Sequence, residues 1–194
     1  MLTYWVLGVV AVVVVVGLVM YNRLIRGRNQ VAEGWSGVEV QLRRRASLIP
    51  NLVETVAGYA QHERATFEEV TRARSALQAA GGVHDTAQAS DQLTRALGRL
   101  LAVSERYPQL RATENFQRLQ GDLSDTEDKV AFARQFYNRT VLAYNNQVAT
   151  FPSAAIATAF RFKAAEFFEA DEAANEEVRV HFRAPAAAGS PPAE

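Results

Sequence analysis

The sequence predicts an all-α protein, with an N-terminal transmembrane helix continuing into an antiparallel bundle of four long or medium helices. Three observations predict it. Leu2 to Tyr21 is an uncharged run with an almost purely valine centre. From Val31 onward apolar residues recur in steps of three and four, the mark of one helix face. No alternating, strand-like run occurs before Val178–Phe182, which is short. The 194 residues suit one soluble domain with a real core. Lys+Arg and Asp+Glu balance at 21 each, which argues against a general nucleic-acid binder. The absence of cysteine rules out disulfides, thiolate metal sites and a Cys nucleophile.

Residues 1–21 form the expected anchor. A hydrocarbon core of about 30 Å needs roughly 20 apolar residues of helix, and only a helix satisfies a lone segment's backbone in lipid. Tyr4 and Trp5 at one end and Tyr21 at the other stand where interfacial aromatics belong. A cleaved signal would need a basic start, a shorter run and a small-residue cleavage site. Here no Lys or Arg precedes the run, and Tyr21-Asn22-Arg23 follows it. Arg23, Arg26 and Arg28 lie just past the span. The positive-inside rule then places the N-terminus outside and the rest of the chain in the cytoplasm.

Residues 22–170 are read as the bundle. One stripe runs Val31, Trp35, Val38, Leu42, Ala46, Ile49, Val53, Val56, Ala60 and stays in phase through Phe67, Val70 and Leu77. A second holds Leu93, Leu97 and Leu100; a third runs from Phe116 through Val130, Tyr137 and Tyr144 to Phe151. Near-heptad spacing suits long, nearly parallel helices. Ala80-Gly81-Gly82 should end the first long helix, with Asp85 or Thr86 capping the next. Pro50 lies inside an unbroken stripe and reads as a kink; Pro152 should end a helix. The middle turn has two candidates, Tyr107-Pro108 and Gly121–Ser124, where Ser124-Asp-Thr-Glu127 has the form of a capping box. A first helix from 22 to 79 would rise about 87 Å. A return helix reaching Gly121 matches that length better, although the third stripe crosses residue 121 without a break.

Residues 171–194 belong to neither. Glu166 to Glu177 is acidic with no basic residue, and Ala184–Glu194 is a Pro/Ala tail expected to be disordered. Val178–Phe182 could add to a partner's sheet edge or lie on its own bundle.

Catalytic signatures are missing. His62, His84 and His181 lie in different segments, and no HExxH, GxxxxGK[ST] or GxGxxG motif occurs. No metal, cofactor or catalytic residue is expected. Arg43, Arg44 and Arg45 form a candidate interaction surface. Successive residues turn by 100°, so the triplet fans away from the stripe, with Arg45 flanking the core. Arg44 lies about 35 Å past Tyr21 on an upright helix, well beyond a Debye length of about 8 Å. Solvent, a protein partner or the acidic run remain as its counter-charges. Tyr137-Asn138 and Tyr144-Asn145 are seven apart, so both Tyr lie on the core stripe with Asn beside it. With Asn51 and Asn115 they form a candidate core polar network, because a buried Asn must be paired but can fix register. A ligand cleft between helices is the alternative.

Three stretches carry a resemblance: residues 21–63 (with GWSGVEVQLRRRASLIPNL), 104–127 (SERYPQLRATENFQRLQGDLSDTE) and 133–152 (ARQFYNRTVLAYNNQVATFP). Together they resemble the LemA family of bacterial membrane proteins over roughly residues 20 to 170. The resemblance implies one membrane helix at the bacterial inner membrane and an antiparallel bundle. It implies no enzyme, since the family has no established activity, and some relatives belong to magnetosome membranes. Gly34 and Gly37 depart from the more usual helix-favouring residues. The expected function is a non-enzymatic interaction or scaffold module that binds lipid through its first helix and a protein partner or its own copies. A small-ligand or lipid-binding bundle is the alternative.

Overall fold

The computed structural model of the chain describes residues 1–169. The acidic residues beyond Glu169, the Val178–Phe182 stretch and the Pro/Ala tail lie outside the described residues. Six helices follow in order: α1 Leu2–Ala57, α2 Arg64–Ala79, α3 Val83–Ser104, α4 Pro108–Arg111, α5 Glu114–Ala149 and α6 Ser153–Ala159. The all-α expectation holds.

α1 is a single helix of 56 residues with Pro50 inside it. Its N-terminal part is apolar and long enough to cross a membrane, and none of that window is buried. Its C-terminal part buries Val38, Leu42, Ala46, Ile49, Leu52 and Val56, the expected stripe. The helix ends at Gly58, not at Ala80. Gly58 and Ala60 both return their N–H groups to the last turn, and the chain reverses into α2. The stripe stays in phase across this turn because a core-facing period does not record chain direction. Gly58 is the local signal: a glycine costs about 1 kcal/mol relative to alanine inside a helix.

α2 runs back along α1, where the Arg74 Nε–H donates to the Ala46 carbonyl at 3.0 Å. The break at Ala80–Gly82 stands as expected, with Gly82 at φ +92°, a backbone that L side chains rarely adopt. Gly82 rather than Asp85 or Thr86 occupies the N-cap of α3; the Thr86 hydroxyl donates back to the Gly82 carbonyl at 2.7 Å. α3 pairs with α2 through Arg99–Glu69, and past its end Arg106 meets Glu63 at 2.7 Å.

The main turn lies at Tyr107–Thr113, correcting the preferred placement at Gly121–Ser124. Pro108 opens α4, and Thr113 caps α5 by accepting from the Phe116 N–H at 3.4 Å. Gly121 is mid-helix and exposed. The would-be capping box is spent elsewhere: the Thr126 hydroxyl donates to the Leu123 carbonyl, Asp125 pairs with Lys129 and Glu127 with Arg45. The unbroken stripe from Phe116 to Tyr144 was the better guide.

α1, α2, α3 and α5 therefore make an up-down-up-down bundle. α5 has 36 residues and lies against the part of α1 beyond the apolar span, each about 54 Å long. α2 and α3 are shorter and cover only the distal half. In the proximal half the third partner is an extended strap, residues 162–169, which follows α6 and packs into the same core through Phe168.

Candidate functional site

The arginine triplet divides. Arg43 and Arg44 are exposed, Arg43 pairing loosely with Glu39 at 3.7 Å. Arg45 is 2% exposed and leaves the surface set. Its guanidinium pairs with Glu127 of α5 and donates to the Thr94 hydroxyl of α3 at 3.0 Å. Burial pushes Arg45 below its ordinary proton affinity, and the carboxylates of Glu127 and Asp91 oppose that shift. Arg45 thus ties three helices at one level, a register device of the kind buried charges can provide.

The tyrosine–asparagine pairs meet the strap. The Asn138 amide accepts from the Phe168 N–H at 2.8 Å and donates to the Phe168 carbonyl at 3.3 Å. Asn145 does the same with Ala165, at 2.8 and 2.9 Å. The Tyr137 hydroxyl donates to the Glu166 carbonyl at 2.8 Å. Seven helical residues rise about 10.5 Å, and three extended residues cover about 10 Å. The seven-residue spacing of the asparagines therefore matches the three-residue spacing on the strap, which runs antiparallel to α5. Burial raises the proton affinity of Tyr137 and Tyr144, and the Glu166 carboxylate adds to it at Tyr137. Trp35 packs on Tyr137 and Phe168, with ring centroids 5.6 and 6.1 Å apart, and the Arg134 guanidinium sits 4.7 Å from the Phe168 ring centre. Asn115 lies elsewhere, at the distal end, donating to the Thr55 hydroxyl at 3.2 Å. Asn51 is exposed and offers only its carbonyl, also to Thr55.

Tyr4 and Trp5 are exposed at the far end of the apolar run. At the near end Tyr21 packs on Phe160 and Phe162, at 4.8 and 5.8 Å between ring centroids. Arg23 and Arg26 are exposed, and the Arg28 guanidinium stands 5.7 Å over the Phe162 ring.

A further apolar surface, absent from the sequence expectations, lies on α5. Phe132 and Phe136 of α5 are 69% and 42% exposed and border a groove of about 600 Å³ between α1 and α5, floored by Gly34 and Gly37. The signal was available: both sit one position before stripe residues Ala133 and Tyr137, forming a second apolar row. A Cβ at Gly34 would lie 3.3 Å from the Tyr137 Cα, whereas one at Gly37 meets nothing within 4 Å. Among the described residues no group of three or more His, Asp or Glu could hold a metal ion.

The proteins this chain is similar to share most of its length. Magnetosome protein MamQ 2 of Paramagnetospirillum magneticum is 27% identical over 190 aligned residues, covering 84% of this chain and 70% of that protein. MamQ of Magnetospirillum gryphiswaldense is 26% identical, covering 87% and 71%. Protein LemA of Metamycoplasma hominis is 24% identical, covering 78% and 69%. The LemA family model matches residues 34–182, from the groove glycines through the tyrosine–asparagine pairs and the strap. With most of its length matched, the chain belongs to the LemA family.

Proposed function

We propose that the protein is a single-pass, membrane-anchored scaffold that works without catalysis, holding a rigid bundle off the cytoplasmic face to engage a protein partner or further copies of itself. The observation that carries this reading is the continuity of α1. One helix serves as both candidate span and central element of the bundle, so the bundle's orientation is coupled directly to the membrane. The similarity to proteins named for the magnetosome supports a role in organising membrane. The three buried groups with shifted proton affinity, Arg45, Tyr137 and Tyr144, serve packing rather than an open cleft, which supports a non-enzymatic role. A small-ligand reading loses its polar groups, because the strap backbone takes both ends of Asn138 and Asn145. Among the described residues, Arg43–Arg44 and the Phe132–Phe136 groove are exposed and open to a protein partner.

In-cell crosslinking tests this. The chain has no native cysteine, so Arg44→Cys and Phe132→Cys each give one reactive site. A specific adduct with a second copy or one other protein is expected from at least one position. A monomer at both positions, with no partner retained in mild detergent, would overturn the scaffold reading.

A further inference from the structure

The turn between α5 and the strap is uncharged from Thr150 to Phe160 and ends in exposed aromatic side chains. No Asp, Glu, Lys or Arg occurs from Thr140 to Phe160, while Arg139 precedes that stretch and Arg161 and Lys163 follow it. Within it, Phe151 is 88% exposed and Phe160 60% exposed at the two ends of α6. α6 sits at the membrane-proximal base of the bundle, with Ala157 buried against Leu24 and Tyr144, and reaches from there onto the apolar run. Its Ile156 Cδ1 stands 3.9 Å from where a Cβ on Gly17 would be, and with Phe160 it borders a cleft lined by Val14, Gly17, Leu18 and Tyr21. Gly17 is one turn, about 6 Å, back from Tyr21 into the apolar run. That run has about the 20 residues a bilayer requires, so it has no slack to slide outward. If it spans, Gly17 lies inside the hydrocarbon, and so does the side chain that touches it.

Apolar depth is tolerable only where backbone and hydroxyl groups are satisfied within the protein. The turn meets this condition for several of its groups; among the described residues the Phe151 and Ser153 N–H groups and the Thr158 hydroxyl have no protein partner, which suits the headgroup boundary and not the hydrocarbon interior. The Thr150 hydroxyl donates to the Asn146 carbonyl at 2.6 Å and the Ser153 hydroxyl to the Thr150 carbonyl at 2.9 Å. The Ala154 N–H donates to the Thr150 carbonyl at 2.8 Å. Pro152 has no N–H to satisfy. Above this level Arg23, Arg26, Arg161 and Lys163 are exposed and can meet anionic headgroups.

We infer that Phe151–Phe160 is a second membrane-contacting element, a foot seated in the acyl–headgroup boundary of the leaflet that α1 leaves. Its occupant is the bilayer, argued from its continuity with the span and from the placement of charge around it. The inference rests on the anchorage proposed above and adds a second point of contact.

Full-length single-cysteine variants in phosphatidylcholine–phosphatidylglycerol vesicles test it. Phe151→Cys carries an environment-sensitive fluorophore, quenched by lipids brominated at shallow or deep acyl positions. Phe151 is already exposed, so its replacement leaves the packing intact. Val10→Cys reports the span, and Ser75→Cys on α2 reports water. The expected result is quenching of the Phe151 label several-fold above Ser75, strongest with shallow bromines, while Val10 responds to deep ones. A Phe151 label that behaves like Ser75 while Val10 is quenched would overturn the foot and leave the anchor standing. A blue-shifted but unquenched Phe151 label would place protein there instead of lipid and also overturn it. An unquenched Val10 would overturn both readings.

Discussion

Arg45 shows how differently neighbouring residues behave on one helix. Arg43 and Arg44 are solvated, whereas the Arg45 guanidinium is buried against Glu127 and Thr94. Leaving a buried charge without its partner costs more than leaving a half-exposed one that water can reach. Glu127→Gln should therefore lower unfolding free energy by about 1–2 kcal/mol, reduced from the fully buried case because the Glu127 side chain is half exposed. Arg45→Met should cost less, and urea titration of the two variants decides the order. Tyr137 gives a pH signature. Its proton affinity is raised in the fold, so its contribution is fully present below the unfolded value of about 10 and is lost as pH rises through the folded value. Tyr137→Phe should flatten that alkaline loss and cost about 1 kcal/mol at neutral pH through the missing hydrogen bond to Glu166. The sequence placed Tyr137 and Tyr144 on the core side correctly and put Arg45 beside the core. What it hid was the partner. Asn138 and Asn145 bond main-chain groups of the strap, and a main-chain group has no residue-type signature to search for.

At the scale of elements, the strap and the glycine face carry the tests. Asn138→Ala or Asn145→Ala removes two hydrogen bonds each, about 1–2 kcal/mol. The Phe168 and Ala165 amides should then exchange hydrogen faster while amides of α3 keep their rates. Gly34→Ala should fail to stabilise, because its Cβ presses on the α5 backbone at Tyr137. Gly37→Ala faces open space and should gain about 0.5–1 kcal/mol from helix propensity. Thermal unfolding in detergent compares the two. The helices were legible wherever a single stripe persisted, and α5 obeyed its stripe through Gly121. The turn at Gly58 was hidden for the same reason, since antiparallel neighbours share one period. The capping-box pattern at Ser124–Glu127 misled because its Glu was committed to Arg45, a contact 82 residues away in sequence. The sequence assigns the strap to the bundle but does not show its extended form, because eight residues with Phe162, Phe167 and Phe168 carry too short a pattern to choose between states.

For the molecule as a whole, the orientation proposed above rests on the charge rule applied to three arginines, Arg23, Arg26 and Arg28. In intact cells a membrane-impermeant thiol reagent should leave Ser75→Cys unlabelled. Replacing Arg23, Arg26 and Arg28 with Ser removes the charge asymmetry next to the span and should produce a labelled fraction. Full labelling before that change would place the bundle on the other side. With the proposed anchorage, the unbroken α1 acts mechanically. A rod without a joint at the membrane surface converts bilayer thickness into angle. Where the hydrocarbon thins from about 30 to about 27 Å, a span that adjusts by tilt alone leans by about 25°. The far end of α1, about 54 Å beyond the surface, then swings sideways by more than about 20 Å. Lipid composition and the reach of the bundle's distal tip are, in such a molecule, two readings of one lever.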